Sequence, residues 1–114
     1  MAVAVGAADA SLKRILLLER HPRLGGILNQ CIHLGFGLRY FKEELTGTEY
    51  AFRYKKIFEQ TGTEVITGSF VHKLTPDKKV TFVCPEGEFL TSGEHVACAV
   101  GRGLVPDRRQ RRYR

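Results

Sequence analysis

The sequence predicts an α/β fold with a parallel core followed by an antiparallel meander. Three observations predict it. Ile15 to Leu18 form a short continuous apolar run ending in Glu19, the pattern of a buried parallel strand covered on both faces. Tyr50, Ala51, Tyr54, Ile57 and Phe58 recur at helical spacing just ahead of a second apolar pair, Val65–Ile66. From Phe70 to Leu90 the period then changes to two.

Bulk properties bound the answer. The chain has 114 residues, 43% of them hydrophobic and 26% charged, which suits one modest globular core and not two. No apolar run approaches a membrane span, and the small-residue N-terminus lacks the basic start of a signal peptide. Cys31, Cys84 and Cys98 are odd in number and unpaired in spacing, so neither a disulfide framework nor a zinc site is expected, and a reducing cytoplasm is. The net charge of +6 is concentrated at the end: Arg102, Arg108, Arg109, Arg111, Arg112 and Arg114 against Asp107 supply +5 of it.

In order, Ala2–Leu12 reads as the end of a helix, with Lys13 and Arg14 suiting its last turn, where the helix dipole favours cations. The strand Ile15–Glu19 follows. From His21 to Gly37, Pro22, Gly25, Gly26, Gly35 and Gly37 mark a tightly bent loop, with a short helical turn expected within Ile27–Leu34. Thr48 is the expected N-cap of the next helix, with Glu49 in its first turn and Gly62 as a left-handed C-cap. Val65–Ile66 is its strand, reached by a right-handed crossover in a parallel sheet. Phe70, His72 and Leu74 then alternate with Val71, Lys73 and Thr75. Pro76-Asp-Lys78 turns the chain, Val80, Phe82 and Cys84 alternate, Pro85-Glu-Gly-Glu88 turns it again, and Phe89–Leu90 opens a third strand. His95–Gly101 reads as another buried strand. The Arg-rich end, 102–114, reads as a solvated or disordered tail outside a domain spanning 1–101.

Glu19 is the sharpest candidate. A carboxylate at the carboxyl end of a parallel strand can accept hydrogen bonds from nucleotide ribose hydroxyls. It can equally be an ordinary strand-end acid paired with Arg20 or Arg23. Gly25–Gly26 after a short basic link allows backbone to approach a ligand. A Gly-rich phosphate turn ahead of the first helix is absent, and Gly6 alone cannot cradle a pyrophosphate. Cys31 and His33 could form a nucleophile and base, but residues two apart do not face each other in a helix, so a packed cysteine and a loop histidine are preferred. Cys84 and Cys98 read as small core residues. The tail could grip phosphates by charge, yet it holds one aromatic, Tyr113, and nucleic-acid binding is not expected.

The stretch Ile15-Leu-Leu-Leu-Glu-Arg-x-x-x-Leu-Gly-Gly26 resembles the second-strand segment of two-dinucleotide-binding-domain flavoproteins. The run from Leu24 to Leu38 and then Tyr40-Phe-Lys-Glu-Glu-Leu-Thr-Gly47 resembles a bacterial branch of NAD(P)/FAD-dependent, pyridine nucleotide-disulfide oxidoreductase-like enzymes associated with glycerol-3-phosphate dehydrogenase. The resemblance implies a partial Rossmann-like FAD-binding domain that exchanges hydride between a nicotinamide nucleotide and a substrate through flavin. By it, Glu19 holds the FAD adenosine ribose, Arg20 flanks the adenine side, and Gly25 and Gly26 lie along the cofactor. Asn29, Gln30 and Cys31 approach the flavin ring. A single cysteine in this region implies no disulfide exchange. The family's leading strand and Gly-x-Gly-x-x-Gly are not in this sequence, and its ending resembles out-of-frame translation. A truncated piece of a longer flavoenzyme is therefore expected, acting as part of an enzyme, as a non-catalytic nucleotide or partner-binding module, or without independent function. Sheet edges exposed by a missing central strand would invite pairing with another chain.

Overall fold

The computed structural model describes residues 1–98. The remainder of the expected strand beyond Cys98 and the Arg-rich tail at 102–114 lie outside the described residues. Among the described residues the fold is mixed α/β: two helices, a parallel two-stranded sheet, and two antiparallel sheets.

Helix α1, Ala2–Asp9, ends three residues earlier than the composition suggests. Ser11 takes φ +67°, its N–H donates to Ala8 O, and the Leu12 N–H donates to Ala7 O. This pair of bonds is a Schellman closure with serine in the place usually given to glycine. Lys13 and Arg14 therefore follow the helix and do not form its last turn.

Strand β1, Leu16–Leu18, pairs in parallel with β4, Glu64–Ile66. Backbone bonds prolong the ladder at both ends, from Glu64 N to Ile15 O at 2.9 Å and from Glu19 N to Ile66 O at 3.0 Å. The expected parallel relation is present, but burial on both faces is not. Ile15, Leu17 and Val65 point into a core with Ala4, Val5 and Phe58, so both helices pack on that one side. Leu16, of opposite parity, is exposed. A continuous apolar run reports the tendency to bury, not how many layers are present to bury it.

Between β1 and the second helix, a 3-10 turn at Gly26–Gln30 realises the expected helical turn. Two short antiparallel strands follow that the sequence pattern did not mark, β2 at Leu34–Phe36 and β3 at Leu45–Thr46. Helix α2, Gly47–Glu59, begins two residues before the expected start. Thr46, not Thr48, is its N-cap: Thr46 Oγ1 accepts from Glu49 N at 3.2 Å, and Glu49 Oε2 accepts from Thr46 N at 3.0 Å. The spelling Thr46-Gly-Thr-Glu49 puts the acid three residues after Thr46, the spacing at which the bonds can be reciprocal. At the other end Gln60 is a right-handed C-cap, and Gly62, φ +68°, comes two residues later.

Strands β5 (Phe70–Leu74), β6 (Lys79–Cys84) and β7 (Gly87–Ser92) form the expected meander in the order β5-β6-β7. Val80, Phe82 and Cys84 are buried on one face, and Phe82 stacks on Phe89 with ring centroids 5.8 Å apart. Cys84 is thus the expected small core residue. Cys98 is not: His95–Cys98 is exposed and pairs with no strand among the described residues.

Gly47 is where the 3-10 turn meets α2. A Cβ built there would lie 2.5 Å from Cys31 Cβ and 2.8 Å from Cys31 O. Replacing an ordinary helical glycine by alanine stabilises by up to about 1 kcal/mol. Gly47→Ala is instead expected to destabilise by about 1–3 kcal/mol through overpacking against backbone, and Thr46→Ala by about 1 kcal/mol through loss of the cap. Urea unfolding of each variant measures both.

Candidate functional site

The exit of β1 is tied down before its side chain is considered. The Glu19 carbonyl accepts from Ser69 N at 2.9 Å and from Ser69 Oγ at 3.3 Å, while Ser69 Oγ also lies 2.8 Å from Ile66 O. Gly68 N donates to His21 O at 3.1 Å, so the chains leaving β1 and β4 run side by side. Ser69 is 2% exposed, and a buried hydroxyl with two carbonyls in reach carries no desolvation penalty left unmet. Sequence reasoning missed Ser69; a lone serine between two strands gives no signal until the strands are known to be parallel.

On this clamped backbone the Glu19 carboxylate turns toward its own loop, where Oε1 accepts from His21 N at 2.9 Å. Among the described residues Oε2 accepts no hydrogen bond, and neither Arg20 nor Arg23 forms an ion pair with it. The Met1 ammonium at the start of α1 lies within Coulombic reach of Glu19. Burial pushes that amine below its ordinary range, and Glu19 partly restores it. Arg20 points the other way and places its guanidinium 5.2 Å from the Phe70 ring centre, a cation–π contact onto β5.

Gly25 and Gly26 have φ values of +116° and +57°. Their first use is conformational, since this left-handed pair turns the chain into the 3-10 helix. A Cβ at Gly25 would lie 2.7 Å from Asn29 Oδ1, and Asn29 Nδ2 donates to Leu24 O at 3.0 Å, closing the turn on itself. Gln30 is the exposed last residue of that turn. Cys31 is half-buried, with Sγ 3.4 Å from Ile27 O. His33 does not meet it: Nδ1 lies 3.0 Å from Leu34 O, and the ring sits 5.3 Å from Phe36.

The six sequence candidates thus fall into two groups. Glu19 and Arg20 sit at the junction of β1, β4 and β5. Gly25, Gly26, Gln30 and Cys31 belong to the turn packed on α2, and no hydrogen bond or ion pair joins the two groups among the described residues. Two open clefts flank them. One, of about 350 Å³, lies between Arg23, Leu24, Lys55 and Thr67, and the other, of about 500 Å³, between Ile66, Phe82, Cys84 and Glu86. Neither is lined by any of the six. No family model, no curated protein and no solved structure matches the chain. The flavoprotein resemblance rests on the residues quoted for it alone.

Among the described residues no three metal-ligating side chains are gathered, and no helix is long and apolar enough to cross a membrane. The cysteines differ in chemistry. Burial pushes the Cys84 thiol up, and its Sγ–H donates to Glu86, which holds that carboxyl below the usual range. Because the thiolate is the reacting species, Cys84 is expected to be the last of the three to alkylate at mildly alkaline pH, with exposed Cys98 ahead of it. Timed iodoacetamide labelling read by peptide mass spectrometry checks the order.

Proposed function

We propose that this chain is a nucleotide-binding piece of a Rossmann-like, FAD-dependent and NAD(P)-linked oxidoreductase, with Glu19 holding the adenosine ribose. One observation carries the proposal: a carboxylate follows directly on a strand of a parallel pair, with its backbone clamped by Ile66 and Ser69 and one oxygen open to a ligand. An ionised carboxylate is acceptor-only, so the open oxygen suits a vicinal pair of hydroxyl donors. The helix-first order around it, with the start of α1 near Glu19, agrees with a nucleotide lying across the carboxyl ends of the strands.

The residues present fit the adenosine end of FAD better than its ring. Glu19 would hold the ribose, and Arg20 would reach the adenine side only by leaving Phe70. Gly25, Gly26, Gln30 and Cys31 would lie along the cofactor, although Cys31 is already packed against Gly47. When bound, flavin supplies the hydride chemistry, and the protein supplies position and electrostatics. The closed turn at Gly25–Cys31 favours a second reading, a non-catalytic module that binds nucleotide without turning it over.

Titration of the purified chain with FAD, ADP and 2′-deoxy-ADP tests the proposal. FAD and ADP are expected to bind, and 2′-deoxy-ADP to bind about tenfold more weakly, the scale of one charged hydrogen bond. In Glu19→Ala the preference for the 2′-hydroxyl is expected to vanish. Equal affinity for both diphosphates in the unmodified chain, or no binding of any of the three, would overturn the ribose role. ADP binding without FAD retention would select the non-catalytic reading.

A further inference from the structure

The outer edge of β7 has a feature that neither the meander nor the nucleotide reading uses. Register and hydrogen bonding fix which backbone groups it offers. Lys78 O accepts from Gly93 N at 3.2 Å, whereas Lys79 O accepts from Thr75 N at 3.0 Å and so faces β5. Antiparallel pairs alternate between bonded and unbonded. With β6 and β7 in register from Lys79↔Ser92 to Cys84↔Gly87, the bonded partners on β7 are Thr91, Phe89 and Gly87. The N–H and C=O groups of Glu88, Leu90 and Ser92 therefore point outward, and among the described residues nothing pairs with them.

Natural edges are protected by bulges, prolines, lysines or inward-facing charges. The opposite edge, β5, has a register irregularity between Val71 and Lys73 and carries His72 and Lys73. Strand β7 has an unbroken register, no lysine and no proline. Its one charge, Glu88, is drawn across the sheet to His72, with Oε1 3.0 Å from Nε2. At its centre Leu90 is 65% exposed.

We infer that β7 is an interface for a second copy of this chain, joined edge to edge in antiparallel fashion about a two-fold axis at Leu90. Such an axis stands perpendicular to the sheet and keeps each face on its own side, so it pairs residues of like parity. Centred on Leu90, it sets Leu90 against the partner's Leu90, Glu88 against the partner's Ser92, and Ser92 against the partner's Glu88. Every outward group of the strand then exchanges bonds. Centred on Phe89, the same operation would pair Glu88 with the partner's Leu90 and leave Ser92 without a partner. The Leu90 register opposes no like charges, and its exposed leucines form the central apolar cross-strand pair. The sheet then runs unbroken through both copies.

Sedimentation equilibrium of the full chain tests this. A reversible dimer of twice 12.8 kDa is expected as concentration rises. Leu90→Pro removes an outward N–H that no bond among the described residues uses, and an edge strand's outward N–H is a setting in which proline is tolerated. It is expected to leave the far-ultraviolet circular dichroism unchanged and the chain at 12.8 kDa. If Leu90→Pro loses its fold, Leu90→Lys sets two like charges against each other and is expected to give the same monomer. In a Cys31→Ser, Cys98→Ser background, Leu90→Cys is expected to form a covalent dimer on mild oxidation. Bonded pairs hold their Cα atoms about 5.5 Å apart, within the roughly 4.4–6.8 Å that a disulfide spans. Ser92→Cys, which faces the partner's Glu88, is expected not to cross-link. A chain that stays at 12.8 kDa throughout, a folded Leu90→Pro that still dimerises, or equal cross-linking of the two cysteine variants would overturn the inference.

Discussion

The parallel ladder between Leu16–Leu18 and Glu64–Ile66 is the constraint on which the rest depends. Parallel strands cannot be joined by a tight turn, so the long stretch between them must cross over, and here it supplies α2. Because both helices pack on the Ile15, Leu17 and Val65 face, the ladder also gathers the main core. Its continuation past Leu18 fixes the Glu19 backbone, and through Ser69 it sets the start of the meander. A single register thus determines the core, the position of the candidate acid and the launch of β5.

How much of this was legible depended on whether local pattern or tertiary neighbours decided each element. The meander was legible because period-two alternation at Phe70–Leu74 and Val80–Cys84 is a property of the strands themselves, and Pro76 and Pro85 punctuate it. The stripe of α2 was legible for the same reason. Its start was misplaced because Thr46 and Thr48 are both good caps, and only the reciprocal bond with Glu49 separates them. Coverage was not legible. Ile15–Leu18 and His95–Cys98 are both apolar runs, yet among the described residues one finds a partner strand and the other finds none. Strands β2 and β3 are too short to show a period, and their pairing is held by the packing of α2 around Gly47 and Leu45.

The candidate site divides along the same line. Glu19 was readable because an acid ending an apolar run is a local pattern with a chemical meaning. Its clamp at Ser69 was not, because residues 50 positions apart meet only after the parallel sheet forms. The glycine pair was readable as a bend but ambiguous in purpose. The φ values of Gly25 and Gly26 and the closeness of Asn29 show that the turn alone requires them, so a nucleotide role for this pair adds to a conformational one and does not explain it.

Amide chemical-shift mapping of the chain on adding ADP is the most direct test of the claim that the end of β1 is where the chain meets a nucleotide. The largest changes are expected at Glu19, His21 and Ser69, where a ligand on the open oxygen would disturb the clamp. Changes confined to the cleft beside Phe82 and Glu86, or no changes with the ladder intact, would contradict it.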